Sequence, residues 1–193
     1  MKTILPIVEG GGDERAVPAL IRRIAQSHGK LVQVLKPHRR GDLPKVRKRF
    51  SDYLLTAKFE NAPILWVMDY DCADCKDVNA DIQQLRQLAE NAAPGLVVRF
   101  AFMVKEYESL FLADERSTRK VLKEIPAAYK FPSNPEGIRG AKEVLSKALP
   151  KGLAYKETIH QEKITAHLDC DHLRQVSPSF QRFEAALLDL LSD

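Results

Sequence analysis

No stretch of this sequence approaches the roughly 18 consecutive apolar residues of a membrane span, so no membrane association is expected. Cysteine is scarce, with three among 193 residues at uneven spacing, which argues against a disulfide-built secreted scaffold. Charge of one sign is lacking as well. The 30 Lys and Arg against 26 Asp and Glu leave a formal net charge of +4, too small to argue nucleic-acid binding from bulk charge. Met1 and Lys2 lead straight into a strand-like segment rather than a secretory leader. The expected location is therefore the cytoplasm, where thiols stay reduced. Neither G-x-x-x-x-G-K-[ST] nor G-x-G-x-x-G occurs, and the acid before Gly10-Gly11-Gly12 would repel a dinucleotide pyrophosphate.

What is present is an ordinary globular balance, 45% apolar and 29% charged, at a length where one domain is the first expectation. Thr3 to Val8 reads as a buried strand ended by the three glycines, and Val17, Leu20, Ile21 and Ile24 fall at helical spacing after it. Pro18 is expected early in that helix, where its missing N–H matters little. Leu31 to Leu35 is a second strand, and a polar stretch from Lys36 to Asp42 leads into a basic amphipathic helix from Leu43 to Phe59. Pro63 to Met68 suits burial on both faces. A helix from Val78 to Asn91, a strand from Leu96 to Val104 and a helical stretch from Tyr107 to Ile125 complete the alternation. The pattern predicts an α/β fold with a mainly parallel four-stranded sheet flanked by helices. Residues 126–193 predict a helical extension packed on the 1–125 core as part of one structural domain, with helices near Glu136 to Leu149, His160 to Leu168 and Ser179 to Leu191. Phe180, Phe183, Leu187 and Leu190 make an apolar stripe best explained by core packing.

In an open parallel sheet, ligands collect beyond the carboxyl ends of the strands, and three of the expected strands end in acids. Glu9 follows the first, Asp69 and Asp71 close the third, and Glu106 and Glu108 follow the fourth. Extended residues two apart point to one side, roughly 6.5 to 7 Å from each other, so Asp69 and Asp71 can face one ion. Asp13 joins from the helix start. Crowded carboxylates repel unless a cation lies among them, and hard oxygen donors suit Mg²⁺ or Mn²⁺. Such an ion would polarise a phosphodiester and activate water. Solvated loop acids are the plainer alternative for any one of these residues.

These residues carry a resemblance. V-E-G-G-G-D-E-R-A-V at 8–17 resembles the first Toprim motif, and V-M-D-Y-D-C at 67–72 resembles its aspartate pair. Toprim domains occur in topoisomerases, primases, small RNA-processing nucleases and overcoming-lysogenization-defect nucleases. The resemblance implies a Rossmann-like Toprim fold and Mg²⁺ held for phosphoryl transfer by Glu9, Asp13, Asp69 and Asp71. K-E-Y-E-S-L-F-L-A-D at 105–114 and S-P-S-F-Q-R-F at 177–183 are similar to an uncharacterised bacterial Toprim-related family, a domain of unknown function sometimes associated with phage defence. Residues 105–106 read Lys-Glu where His-Glu is expected.

Lys36, Arg39, Arg40, Lys45, Arg47, Lys48 and Arg49 form the densest positive stretch, opposed only by Asp42. Lys36, Arg39 and Arg40 are expected on the rim beside Glu9, as phosphate contacts for a nucleic acid. The other four suit a solvated helix face. Cys72-x-x-Cys75 with Cys170 and His172 is an incomplete zinc pattern, and a thioredoxin-like pair is disfavoured because the motif follows Asp71 in an acidic loop. Arg174 and Arg182 are partners for acids or phosphate. The expected function is an Mg²⁺-dependent nuclease acting on DNA or RNA, with Glu9, Asp69 and Asp71 catalytic and Asp13 and Glu108 as further ligands. The alternatives are a non-catalytic nucleic-acid-binding or partner-binding subunit, for instance beside a partner ATPase, and a D-x-D glycosyltransferase, which gives Glu9 no role.

Overall fold

Apolar runs too dense for a one-sided strand dictate a sheet covered on both faces, and the computed structural model, which describes residues 1–192, has that form. Strands β1 (Lys2–Val8), β2 (Val32–Val34), β3 (His38–Arg39), β4 (Ile64–Tyr70) and β5 (Val98–Val104) are parallel in every pairing. Their order is β2-β1-β4-β5, with β3 also on β1. The sheet thus has five strands, not four. Lys2 to Ile4 pair with β2, while Ile7 and Val8 pair with β3. Pro37 lies between and has no N–H to give the ladder, so the pairing stops and restarts around it.

Alternation along the strands divides the core. Leu5, Ile7, Ile64, Trp66, Met68, Phe100 and Phe102 face helices α2 (Leu43–Lys48), α3 (Phe50–Lys58) and α4 (Val78–Ala92). Phe50 stacks on Trp66 with ring centroids 4.9 Å apart. The single helix expected over 43–59 is two, because Arg49 leaves helical geometry at φ −124° and ψ 23°. Ile4, Val8, Leu65, Val67, Ala101 and Met103 face α1 (Asp13–Ser27) and the later helices. Pro18 falls past the first turn of α1, so the helix forgoes the hydrogen bond that its N–H would have made to Glu14.

After β5 come α5 (Ser109–Ala113), α6 (Glu115–Val121), a 3₁₀ turn at Pro135–Gly137, α7 (Ala141–Ala148), α8 (Glu157–Thr165), α9 (Cys170–Val176) and α10 (Pro178–Ser192). The helix expected over 136–149 is interrupted by Gly140, whose φ of 78° is open to glycine and costly for other residues. Helix α9 escapes periodicity because it buries only Cys170 and Leu173; Asp169 caps it by accepting from the N–H groups of Asp171 and His172. Helix α10 buries Phe180, Phe183, Leu187 and Leu190 in the same core as α1, each side chain contributing roughly 1.5–3 kcal/mol. Ser179 Oγ accepts from the Val104 N–H at 2.9 Å, which satisfies the free edge of β5 at its carboxyl end. Arg174 pairs with Glu184 and Asp171, and Arg182 with Ser179 and Glu136. Among the described residues, no helix is long and apolar enough to cross a membrane.

Candidate active site

The strand ends build the site. Glu9 leaves β1 where the chain turns through three glycines into α1, and the turn is closed by Asp13, whose Oδ2 accepts from the Gly10 N–H at 2.8 Å. Its Oδ1 accepts from Gln161 Nε2 of α8 at 2.7 Å. Gly12 permits this approach, since a Cβ there would lie 1.8 Å from Gln161 Oε1. At the end of β4, Asp69 Oδ1 accepts from the Tyr107 N–H at 2.8 Å. That N–H is aimed by Lys105, whose left-handed φ of 66° is unusual for a residue with a side chain. The same turn sends Glu106 toward α7, where Oε1 accepts from the Gly140 N–H at 2.6 Å. Arg139 donates to the Asp71 carbonyl.

The result is an open cleft of about 630 Å³ lined by Glu9, Asp69, Asp71 and Glu106 on the strand side, and by Arg139, Lys142, Glu143 and Lys147 on the α7 side. Glu9, Asp69 and Asp71, remote in sequence, share this cleft. Asp13 and Glu108 lie outside its lining. Asp13 is occupied by Gly10 and Gln161, and Glu108, only 1% exposed, accepts from Tyr155 Oη at 3.0 Å and lies 4.0 Å from Lys142 Nζ. Lys142 Nζ is 2.6 Å from Glu157.

Crowding and burial raise the proton affinity of these acids. Burial lifts Glu9 to about 7, helped by Asp13, Asp42 and Asp71. Burial likewise holds Asp69 well above the usual range, with Glu108, Asp13 and Glu9 adding repulsion against the pull of Lys142. Glu108 is pushed up to about 7 by burial despite Lys142. Asp13 is raised by burial against its two hydrogen bonds. Lys142 loses to burial but gains more from Glu108 and Glu157, and stays above the ordinary lysine value. Hard carboxylate oxygens in such surroundings are the donors that Mg²⁺ and Mn²⁺ take. Among the described residues, no three His, Cys, Asp or Glu side chains already stand as a ready ligand set.

The expected basic contacts scatter. Arg39 lies over the glycine turn, with Nη1 3.3 Å from where a Gly11 Cβ would be. Arg40 faces the other way, its guanidinium 5.1 Å from the Tyr53 ring centre and Nη2 3.1 Å from His38 Nδ1. Lys36 is exposed, with no ion pair found for it among the described residues. Sequence reasoning missed the α7 cations, because no local pattern reveals that this helix folds over the strand ends.

The cysteines also differ from expectation. Cys72 and Cys75 form a disulfide directly after Asp71, with Arg47 Nη1 3.7 Å from Cys72 Sγ. The expectation of reduced thiols is overturned for this pair, since a two-residue spacing at a loop brings the sulfurs together regardless of overall cysteine count. The bond also removes them as zinc ligands. Cys170 is free and buried, and His172 Nε2 is engaged with the Ala113 carbonyl at 3.1 Å.

A mainly parallel, Rossmann-like α/β sheet with a polar cleft at the carboxyl ends of its strands is the class that these observations define. A model of the DUF4276 family, a domain of unknown function, matches residues 8–188, and the chain belongs to that family. No curated protein and no solved structure matches it.

Proposed function

We propose that the cleft is the active site of a Toprim-type, Mg²⁺-dependent phosphodiester hydrolase acting on DNA or RNA, with Mn²⁺ as a substitute ion and a role in phage defence. The observation that carries this reading is the meeting of Glu9, Asp69 and Asp71 in one cleft, with Glu9 and Asp69 both resisting ionisation. Carboxylates in this condition gain from a divalent cation, and the all-oxygen donor set fits a hard one. Glu9, Asp69 and Asp71 would hold the ion, which supplies charge neutralisation at the phosphate and an acidified water. The Tyr107 N–H fixes one oxygen of Asp69 and leaves the other free for the ion. Glu106, tied to Gly140 through one oxygen, keeps its second as an acceptor to orient water.

Incubating the purified protein with plasmid DNA and with structured RNA in Mg²⁺ or Mn²⁺ tests the reading. Nicking is expected for the wild type and a loss of at least about a hundredfold for Asp69→Asn with Asp71→Asn, given what catalytic electrostatics contribute. Full activity in the double variant rejects this site. A second reading is a non-catalytic subunit that binds nucleic acid or a partner ATPase. It draws on the lack of a ready ligand set among the described residues and on the Lys142 ammonium already close to the acids. It predicts salt-dependent binding with no cleavage in either ion.

A further inference from the structure

The α7 side of the cleft is cationic in a way that its packing does not require. Lys142 is committed to Glu157 and Glu108. Among the described residues, Arg139 bonds only to the backbone carbonyl of Asp71, and Lys147 has no ion pair or hydrogen bond. Both are exposed and both line the cleft. Two cations without carboxylate partners among the described residues, facing a floor of four acids, leave charge directed at something outside the protein. Glu143 also lies on this side; its carboxylate folds back over Gly140, with Oε2 2.7 Å from where a Cβ there would be.

Their spacing narrows the ligand. Arg139 immediately precedes the Gly140 cap and Lys147 is in the last turn of α7; the helix advances about 9 Å along its axis between Ala141 and Lys147 at about 1.5 Å per residue, with Arg139 before its start. Cations mounted at the two ends of one helix suit successive phosphates of a strand better than a single phosphate group. We propose that Arg139 and Lys147 form a phosphate-holding rail for a single nucleic-acid strand, laying its backbone along α7 opposite Glu9, Asp69 and Asp71. This assignment rests on the proposed function for its substrate class, and it replaces Lys36 and Arg40 as the principal backbone contacts. Because the rail lies on the α7 side of the cleft, across from the strand-side acids, it acts in binding and register, and these two are positioning residues.

The test is binding of a fluorescent single-stranded oligonucleotide of about 12 nucleotides, within the usual span of a single-strand site, in Ca²⁺ to support binding without turnover. Salt is varied from about 50 to 200 mM. Losing two phosphate contacts at about 0.7 each should make the slope of log K against log salt shallower by about 1.4 in Arg139→Gln with Lys147→Gln, with affinity down about tenfold at low salt. Arg139→Lys with Lys147→Arg should keep the wild-type slope. Lys58→Gln with Lys151→Gln, which removes the same charge elsewhere, should leave it unchanged. Mn²⁺ binding by calorimetry should be the same in Lys147→Gln alone, which leaves the Arg139 bond to the Asp71 carbonyl intact, as in the wild type, and this separates the rail from the acid site. An unchanged slope in the rail variant, an equal drop in the control variant, or competition by a mononucleotide as effective as by the oligonucleotide overturns the rail. If the rail behaves as expected while no cleavage is seen in Mg²⁺ or Mn²⁺, the hydrolase reading fails and the rail stands.

Discussion

Glu108 offers a way to read the electrostatic stress of the site without any substrate. Its carboxylate is 1% exposed, and burial raises its pKa from 4.5 to about 7. An acid that binds its proton more tightly folded than unfolded lowers stability as pH rises. Below about 4.5 both states are protonated and nothing is lost; between 4.5 and about 7 the native state holds a proton that the unfolded chain releases; above 7 both are ionised and the full penalty is present. A shift of about 2.5 units at about 1.36 kcal/mol each sets that penalty at about 3 kcal/mol. Glu108→Gln mimics the protonated acid and can still accept from Tyr155 Oη, while Lys142 keeps Glu157. Urea unfolding in the presence of a chelator should find the variant close to wild type near pH 4.5 and more stable by up to about 3 kcal/mol near pH 8. A difference that does not change with pH, or a variant weaker at pH 8, would refute the reasoning.

Two further substitutions probe the frame around the acids. Gly12→Ala drives a methyl into Gln161, breaks its bond to Asp13, and should lower stability by about 1–3 kcal/mol, since a buried acceptor is left short of a donor; an unchanged urea midpoint would show that Gln161 moves aside freely. Reducing the Cys72–Cys75 disulfide, which closes a very short loop, should cost about 2 kcal/mol by the chain-entropy rule. Cys72→Ser with Cys75→Ser should make the midpoint indifferent to dithiol reductant, and a wild-type midpoint equally indifferent would rule out a stabilising bond.

The long strands β1, β4 and β5 were legible because each carries enough apolar residues for two buried faces, and the places where they end follow from where the run stops, so Glu9, Asp69 and Asp71 could be placed on one rim; β3, only His38–Arg39, has no apolar run and was missed. What local pattern could not reveal came from contacts remote in sequence or from backbone geometry. Arg39 and Arg40 looked equivalent, yet successive extended residues point opposite ways, so one lies over Gly11 and the other goes with His38 toward Tyr53. The division of the basic helix at Arg49 leaves no mark on its apolar spacing. Helix α9 is held mainly by its Asp169 cap and two buried residues, too few to make a period. The spacing of Cys72 and Cys75 reads as half of a zinc pattern, with a redox pair disfavoured by the acidic loop, where the structure has a disulfide; Arg139 and Lys147 carry no local pattern that places them across from the strand ends.

The two sides of the cleft come from widely separated parts of the chain: every acid of the strand side lies at or before Glu106, and its cationic side begins at Arg139. A truncation ending just past Glu106 would therefore keep every acid of the strand side and lose the bank across from it, together with α10, whose Phe180, Phe183, Leu187 and Leu190 share a core with α1. The opposite signs of the two banks are thus a property of the tertiary fold and of no shorter segment.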